Sequence, residues 1–184
     1  MNKKILIIGI ILVVIIVLGI NFFFTNRDEN VQIDMQKLSE ELINSQIFED
    51  DLSQVDKDTI IKKYNFNNEK IKDITSYVGT GATAEEILIL EMLDKNDIEE
   101  TEKIIETKIE ERKEDFQNYL PKEVFKLENY NLENKGNYII LCISNDYNKA
   151  KDIILTYKNI DTDIEIPLTK MFYDKYVDAK RDKV

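Results

Sequence analysis

From Ile5 to Phe24 the chain is apolar, interrupted only by Gly9, Gly19 and Asn21. No other feature constrains its fold as much. Roughly 20 residues at about 1.5 Å each span about 30 Å as a helix, the thickness of a bilayer's hydrocarbon core. A helix satisfies its backbone polar groups internally and can lie in lipid. A buried helix of a soluble domain would show a polar face, and none occurs before Asn21. Residues 1–24 therefore read as an N-terminal membrane anchor, with a transmembrane helix from Ile5 to Phe24. A cleaved signal peptide has a shorter apolar core and a small-residue cleavage site, which Asn21-Phe22-Phe23-Phe24-Thr25-Asn26 does not offer. Lys3 and Lys4 precede the run, whereas Arg27 beyond it is followed at once by Asp28 and Glu29. The positive-inside rule then puts the N-terminus in the cytoplasm and the remainder outside. The expected location is the cell membrane, crossed once.

Residues 25–33 read as a stalk, residues 34–159 as one extracytoplasmic domain and residues 160–184 as a charged tail. The tail is either disordered or holds a short helix around Phe172, Tyr176 and Val177. The formal net charge is -11, more negative still without Lys3 and Lys4. Such a surface repels nucleic acid, so none is expected as a partner. The sequence has no histidine and a single cysteine, Cys142. This excludes Ser-His-Asp and Cys-His catalysis, the commonest zinc ligands and any intrachain disulfide.

Asp34 can cap a helix carrying Met35, Leu38, Leu42 and Ile43 on one face, and Asp56 a second helix through Tyr64. Ile71 to Val78 alternates as a strand, with Ile74, Ser76 and Val78 on one side. Gly79-Thr80-Gly81 marks a turn, and Ile87 to Leu93 reads as a central strand apolar on both faces. A long helix follows, capped by Asn96, carrying Ile98, Ile105, Ile109, Phe116 and Tyr119 as a stripe and ending at Pro121. Val124 to Leu132 and Tyr138 to Ser144 read as a hairpin around Asn134-Lys135-Gly136, and Asp146 to Tyr157 as the last helix. The fold class is α+β: a mainly antiparallel sheet of about four strands with helices packed on one face.

Several residue groups carry a chemical suggestion. Gly79-Thr80-Gly81-Ala82-Thr83-Ala84 has the spacing of a dinucleotide-binding loop, but no helix pattern follows it, so a tight turn is the better reading. Cys142 sits in an apolar strand with no histidine to act as base, which makes it a core residue. Glu85-Glu86, Glu49-Asp50-Asp51 and Asp161-x-Asp163-x-Glu165 are carboxylate clusters that read as solvated surface. Neighbours on a strand do not give the cross-cleft separation that glycosidase chemistry requires. Arg112, Phe116 and Tyr119 share a helix face and could line a ligand pocket. Core packing, with the arginine stem over apolar surface and its head satisfying a nearby carboxylate, is the better reading. No catalytic, cofactor-binding or metal-binding residue is expected.

The chain resembles the bacterial domain of unknown function 4358 (DUF4358) family from about Leu52 to Leu155. The resemblance is carried by the short helix ending in Tyr64, the Ala84-Glu85-Glu86-Ile87 start of a strand, and Arg112 late in the long helix. It continues through Phe116-x-x-Tyr119-x-Pro121, Gly136-Asn137-Tyr138-Ile139 and Ser144-x-Asp146. It implies a lipoprotein or membrane-anchored protein of the cell envelope, and it brings no catalytic residues. The chain departs from the family in lacking a lipid-attachable cysteine and in having Asn65 where many members carry glycine. The reading of function is a non-enzymatic envelope module that binds a protein or wall component. The alternative is an extracytoplasmic hydrolase using carboxylates, alone or with a metal.

Overall fold

The computed structural model describes residues 31–157. The predicted anchor from Ile5 to Phe24, most of the stalk, the Asp161-x-Asp163-x-Glu165 cluster and the 160–184 tail with Phe172, Tyr176 and Val177 lie outside the described residues.

The first helix, α1 (Met35–Asn44), buries Met35, Leu38 and Leu42 at helical spacing, and Asp34 caps it by accepting from the Lys37 amide at 3.0 Å. A short strand, β1 (Ser53–Val55), leads into α2 (Lys57–Tyr64). Asp56 caps that helix through the Thr59 amide at 3.0 Å and hydroxyl at 2.7 Å. Asn65 ends it in the left-handed region at φ 58°, with the Phe66 amide donating back to the Ile61 carbonyl at 3.0 Å. That closure folds the Phe66 ring onto Tyr64, parallel to within 2° at 4.9 Å. Glycine suits this backbone, and a side-chain-bearing residue there costs about 1 kcal/mol. Asn65→Gly is expected to raise stability by up to about 1 kcal/mol, read from the urea midpoint; a decrease would show that the Asn65 side chain matters to the cap.

Five strands form one antiparallel sheet in the order β1-β2-β3-β5-β4. They are completed by β2 (Ile71–Val78), β3 (Glu86–Met92), β4 (Asn131–Lys135) and β5 (Tyr138–Ile143). Between β3 and β4 run α3 (Ile98–Tyr119) and α4 (Pro121–Glu128), and α5 (Tyr147–Thr156) closes the described chain. Every residue of β5 is buried, as is all of β3 except Glu91. On one face Leu88, Leu90 and Met92 join Ile139, Leu141 and Ile143 against α2, α3 and α4, through Ile60, Tyr64, Ile105, Ile109 and Leu127. Ile87, Ile89, Ile140 and Cys142 point the other way and are fully buried as well. The helices α1 and α5 cover that side. Gln36 donates to Tyr77 Oη at 2.8 Å, Asn131 to the Tyr147 carbonyl at 2.8 Å, and Lys151 meets Glu133 at 3.2 Å.

Four expectations are corrected. Helices cover both faces of the sheet rather than one, as two central strands apolar on both sides demand. The sheet has five strands, because Ser53–Val55 pairs with Ser76–Val78. The stretch Val124–Leu132 is not a strand throughout. Pro121 occupies the first turn of α4, where its missing N–H costs nothing, and extended pairing begins only at Asn131. At the start of the long helix, Asn96 is not the cap. Asp94 accepts from its amide at 2.9 Å, and a turn of 3-10 helix (Lys95–Asp97) precedes Ile98.

Candidate functional site

The polar centre of the molecule is the start of β3, and it differs from the solvated cluster that the sequence suggests. Glu85 and Glu86 are both fully buried. Glu85 immediately precedes β3 and Glu86 opens it, and among the described residues the two carboxylates share no hydrogen-bond partner. Glu86 accepts from Tyr64 Oη at 2.9 Å, from Lys63 Nζ at 2.7 Å and from Arg112 Nη1 at 2.7 Å. Glu85 accepts from the Glu49 amide at 2.9 Å, the Asp50 amide at 2.9 Å and Lys126 Nζ at 2.9 Å. Lys126 lies also 3.0 Å from Glu49 and 3.2 Å from Glu123. Glu123 in turn accepts the Ala84 amide at 2.9 Å, while Arg112 Nη2 donates to the Ala84 carbonyl at 2.9 Å.

These surroundings set the protonation of the donors. Burial raises the Tyr64 hydroxyl well above its ordinary value, and the Glu86 charge adds to this. Burial lowers the Lys63 ammonium, with Glu86 opposing and Arg112 assisting. Burial also works against the Lys126 charge, but the bonds from Glu85 and Glu49 outweigh it and the net shift is upward. Glu49, Glu85 and Glu123 thus converge on an ammonium. Among the described residues no group of three acidic or thiol side chains is placed to hold a metal ion.

The glycine-rich segment docks a carboxylate. It joins β2 to the antiparallel β3, so no helix follows it. Asp50 accepts from the Thr80 amide and hydroxyl, each at 2.7 Å, and from the Thr83 hydroxyl at 3.2 Å. The Thr80 amide is the chief reason that the Asp50 carboxyl is held below its usual value. A Cβ at Gly79 would fall 2.7 Å from Thr83 Oγ1 and 2.9 Å from Asp50 Oδ2, so a side chain there would push the docked carboxylate or the Thr83 hydroxyl aside.

Of the predicted pocket residues, Phe116 and Tyr119 stay together and Arg112 leaves them. Phe116 and Tyr119 line a notch of about 220 Å3 with Gly81, Asp115 and Leu120. Tyr119 is 83% exposed, while Arg112 turns to Glu86 as an arginine head satisfying a carboxylate. A larger groove of about 500 Å3 between α2 and α3 carries Lys62, Lys63, Lys103 and Lys108. Sequence reasoning missed it. The signal was there in Lys62-Lys63 and in two lysines five residues apart on the long helix, but which helix faces α3 is a tertiary fact.

Cys142 is a core residue. Burial pushes its thiol up to about 12, which leaves almost no thiolate at neutral pH. An aromatic disulfide reagent is expected to label it only after denaturation, with less than about 5% modified in the native protein over the same period. Rapid native labelling would show that the face under α1 and α5 opens readily.

The sequence model of the family described as Domain of unknown function (DUF4358) matches residues 44–144, more than half of the 184-residue chain. The chain belongs to the DUF4358 family. Every residue of the buried network, from Glu49 to Lys126, falls inside the DUF4358 match, whereas α5 lies beyond it. No curated protein and no solved structure matches the chain. Among the described residues no helix is long and apolar enough to cross a membrane, and the run from Ile5 to Phe24 is not among them.

Proposed function

We propose that this DUF4358 protein is a single-pass membrane protein whose extracytoplasmic domain is a non-enzymatic binding or accessory module of the cell envelope. The anchor rests on the apolar, uncharged run from Ile5 to Phe24 and on the charges around it. The observation that carries the functional half is the closure of the buried charges. Glu85, Glu86 and Glu123 are each committed to a buried or half-buried cation and to further donors. Such an arrangement favours a rigid scaffold over a reacting centre, because a general acid or base has to reach a substrate proton. The large apolar side chains offered to solvent are Leu93, Leu155 and two aromatics of the recognition kind, Tyr119, 83% exposed, and Phe125, 53% exposed, on the consecutive helices α3 and α4. Exposed aromatics anchor interfaces at low entropic cost.

The test is crosslinking of the intact protein in native membranes, with mass spectrometry of what co-purifies and protease shaving of intact cells to fix the topology. A reproducible envelope partner, with the domain removed by external protease, is the expected result. A protease-protected domain would overturn the orientation. Turnover of ester or glycoside substrates that disappears on replacing Glu49, Glu85 or Glu123 by glutamine would favour the carboxylate hydrolase instead.

A further inference from the structure

The groove between α2 and α3 has more lysines than carboxylates along its lining. Lys62, Lys63, Lys103 and Lys108 line it against two carboxylates, Glu100 and Glu111, in a chain of net charge -11. Three observations make that positive charge available to a ligand. Lys62 is exposed, and no hydrogen bond or ion pair joins its side chain to a described residue. Among the described residues, Lys103 and Lys108 are held only along their own helix, by Glu99 at 2.6 Å and Glu111 at 2.6 Å; such surface pairs are weak and exchange readily for another anion. Behind the lining, Lys63 Nζ, which faces the groove, and Arg112 Nη1, which does not line it, each lie 2.7 Å from the same oxygen, Oε2 of Glu86. Two cations on one carboxylate leave a surplus positive charge under the groove. It is half-buried, where water screens it poorly.

We propose that this groove binds a phosphate group carried by an envelope ligand. Lysine ammoniums brought from two helices act as point charges, and they match the spread charge of a phosphate better than the directional demands of a single carboxylate. The phosphate chemistry stands on the groove, the envelope source of the ligand rests on the extracytoplasmic location proposed above, and both hold whether or not a protein partner docks elsewhere. The same chemistry is presented by an anionic lipid headgroup and by a phosphodiester-linked polymer, so the ligand class is fixed here by the phosphate.

The test is titration calorimetry on the full chain in a maltoside detergent. The probes are inorganic pyrophosphate, glycerophosphoglycerol as the headgroup analogue, and a short glycerol-phosphate oligomer. Saturable pyrophosphate binding is expected, weakened about tenfold or more in Lys62→Ala/Lys103→Ala, the loss of one charge-assisted bond. Lys72→Ala/Lys151→Ala removes the same charge away from the groove and is expected to keep the affinity within about twofold. Tighter binding of the oligomer assigns the groove to a polymer, and tighter binding of the headgroup analogue assigns it to lipid; either supports the inference. Absence of saturable binding to folded protein, or an equal loss in both double variants, would overturn it.

Discussion

Lys126→Met is expected to destabilise the domain by about 3–5 kcal/mol. The ammonium lies within 3.2 Å of three carboxylates, and Glu85 and Glu123 among them have essentially no solvent to turn to. Without it Glu85 keeps two backbone donors and Glu123 the Ala84 amide, but neither keeps a countercharge. Breaking a buried ion pair costs far more than forming it contributes, because the remaining charge cannot be rehydrated. Against a total near 5–15 kcal/mol for a domain of this size, the loss is a large fraction. Urea unfolding followed by far-ultraviolet circular dichroism reads it directly. Lys126→Met/Glu85→Gln is expected to recover part of the loss. A change under about 1 kcal/mol would mean that water reaches the cluster. The pH dependence has a definite sign. The folded protein holds the Lys126 proton more tightly than the ordinary 10.5, so this contribution is complete below that value and fades only as pH rises beyond it. Melts between about pH 7 and 9 should therefore not move on its account.

Glu86→Ala is the second large effect, expected at about 3 kcal/mol. Three donors lose their acceptor at once: the buried Tyr64 hydroxyl, Lys63 and Arg112. The side chains of Lys63 and Arg112 retain 27% and 14% exposure, so each can swing part-way to water, which holds the cost below the upper end of the range. Tyr64 stacks on Phe66 and cannot follow. Glu86→Gln keeps one acceptor oxygen, which can serve Lys63 and Arg112, and removes the charge, and about half the loss is expected. Near-ultraviolet circular dichroism should change with the alanine variant and less with the glutamine. Equal effects of the two would mean that charge, rather than hydrogen bonding, carries the cluster.

The helices and strands with strong local signals were legible in the sequence. Asp34 and Asp56 cap where an aspartate before an apolar-periodic run is expected to, and β2, β3 and β5 coincide with their hydrophobic patterns. Three things were not legible, each for a physical reason. Ser53–Val55 is too short and too polar to carry a period; only its partner on β2 makes it a strand. The stretch after Pro121 has β-branched and aromatic residues that suit extended structure, yet Leu127 and the ion pairs of Glu123 and Lys126 reward a helical turn there. Glu85 and Glu86 look like surface because charge is read locally, while their partners lie 22 to 41 residues away. Arg112 was the exception. Its place on the apolar stripe of a helix already implied a nearby carboxylate.

The paired glutamates also bear on how β3 finds its place. In a strand with one wet face, slipping by one residue exposes the hydrophobic side, and the error is rejected at once. Ile87-Leu88-Ile89-Leu90 is apolar on both sides, so a slipped alignment against Cys142 and Leu141 would bury nearly as much oil as the native one. What separates the two alignments is charge. A one-residue slip would carry Glu86 away from Lys63 and Arg112, and take Glu85 from the backbone amides that hold it. Adjacent acids held by separate sets of partners thus act as a key with two teeth. Hydrophobicity supplies the drive to pair, and the ions choose which pairing survives.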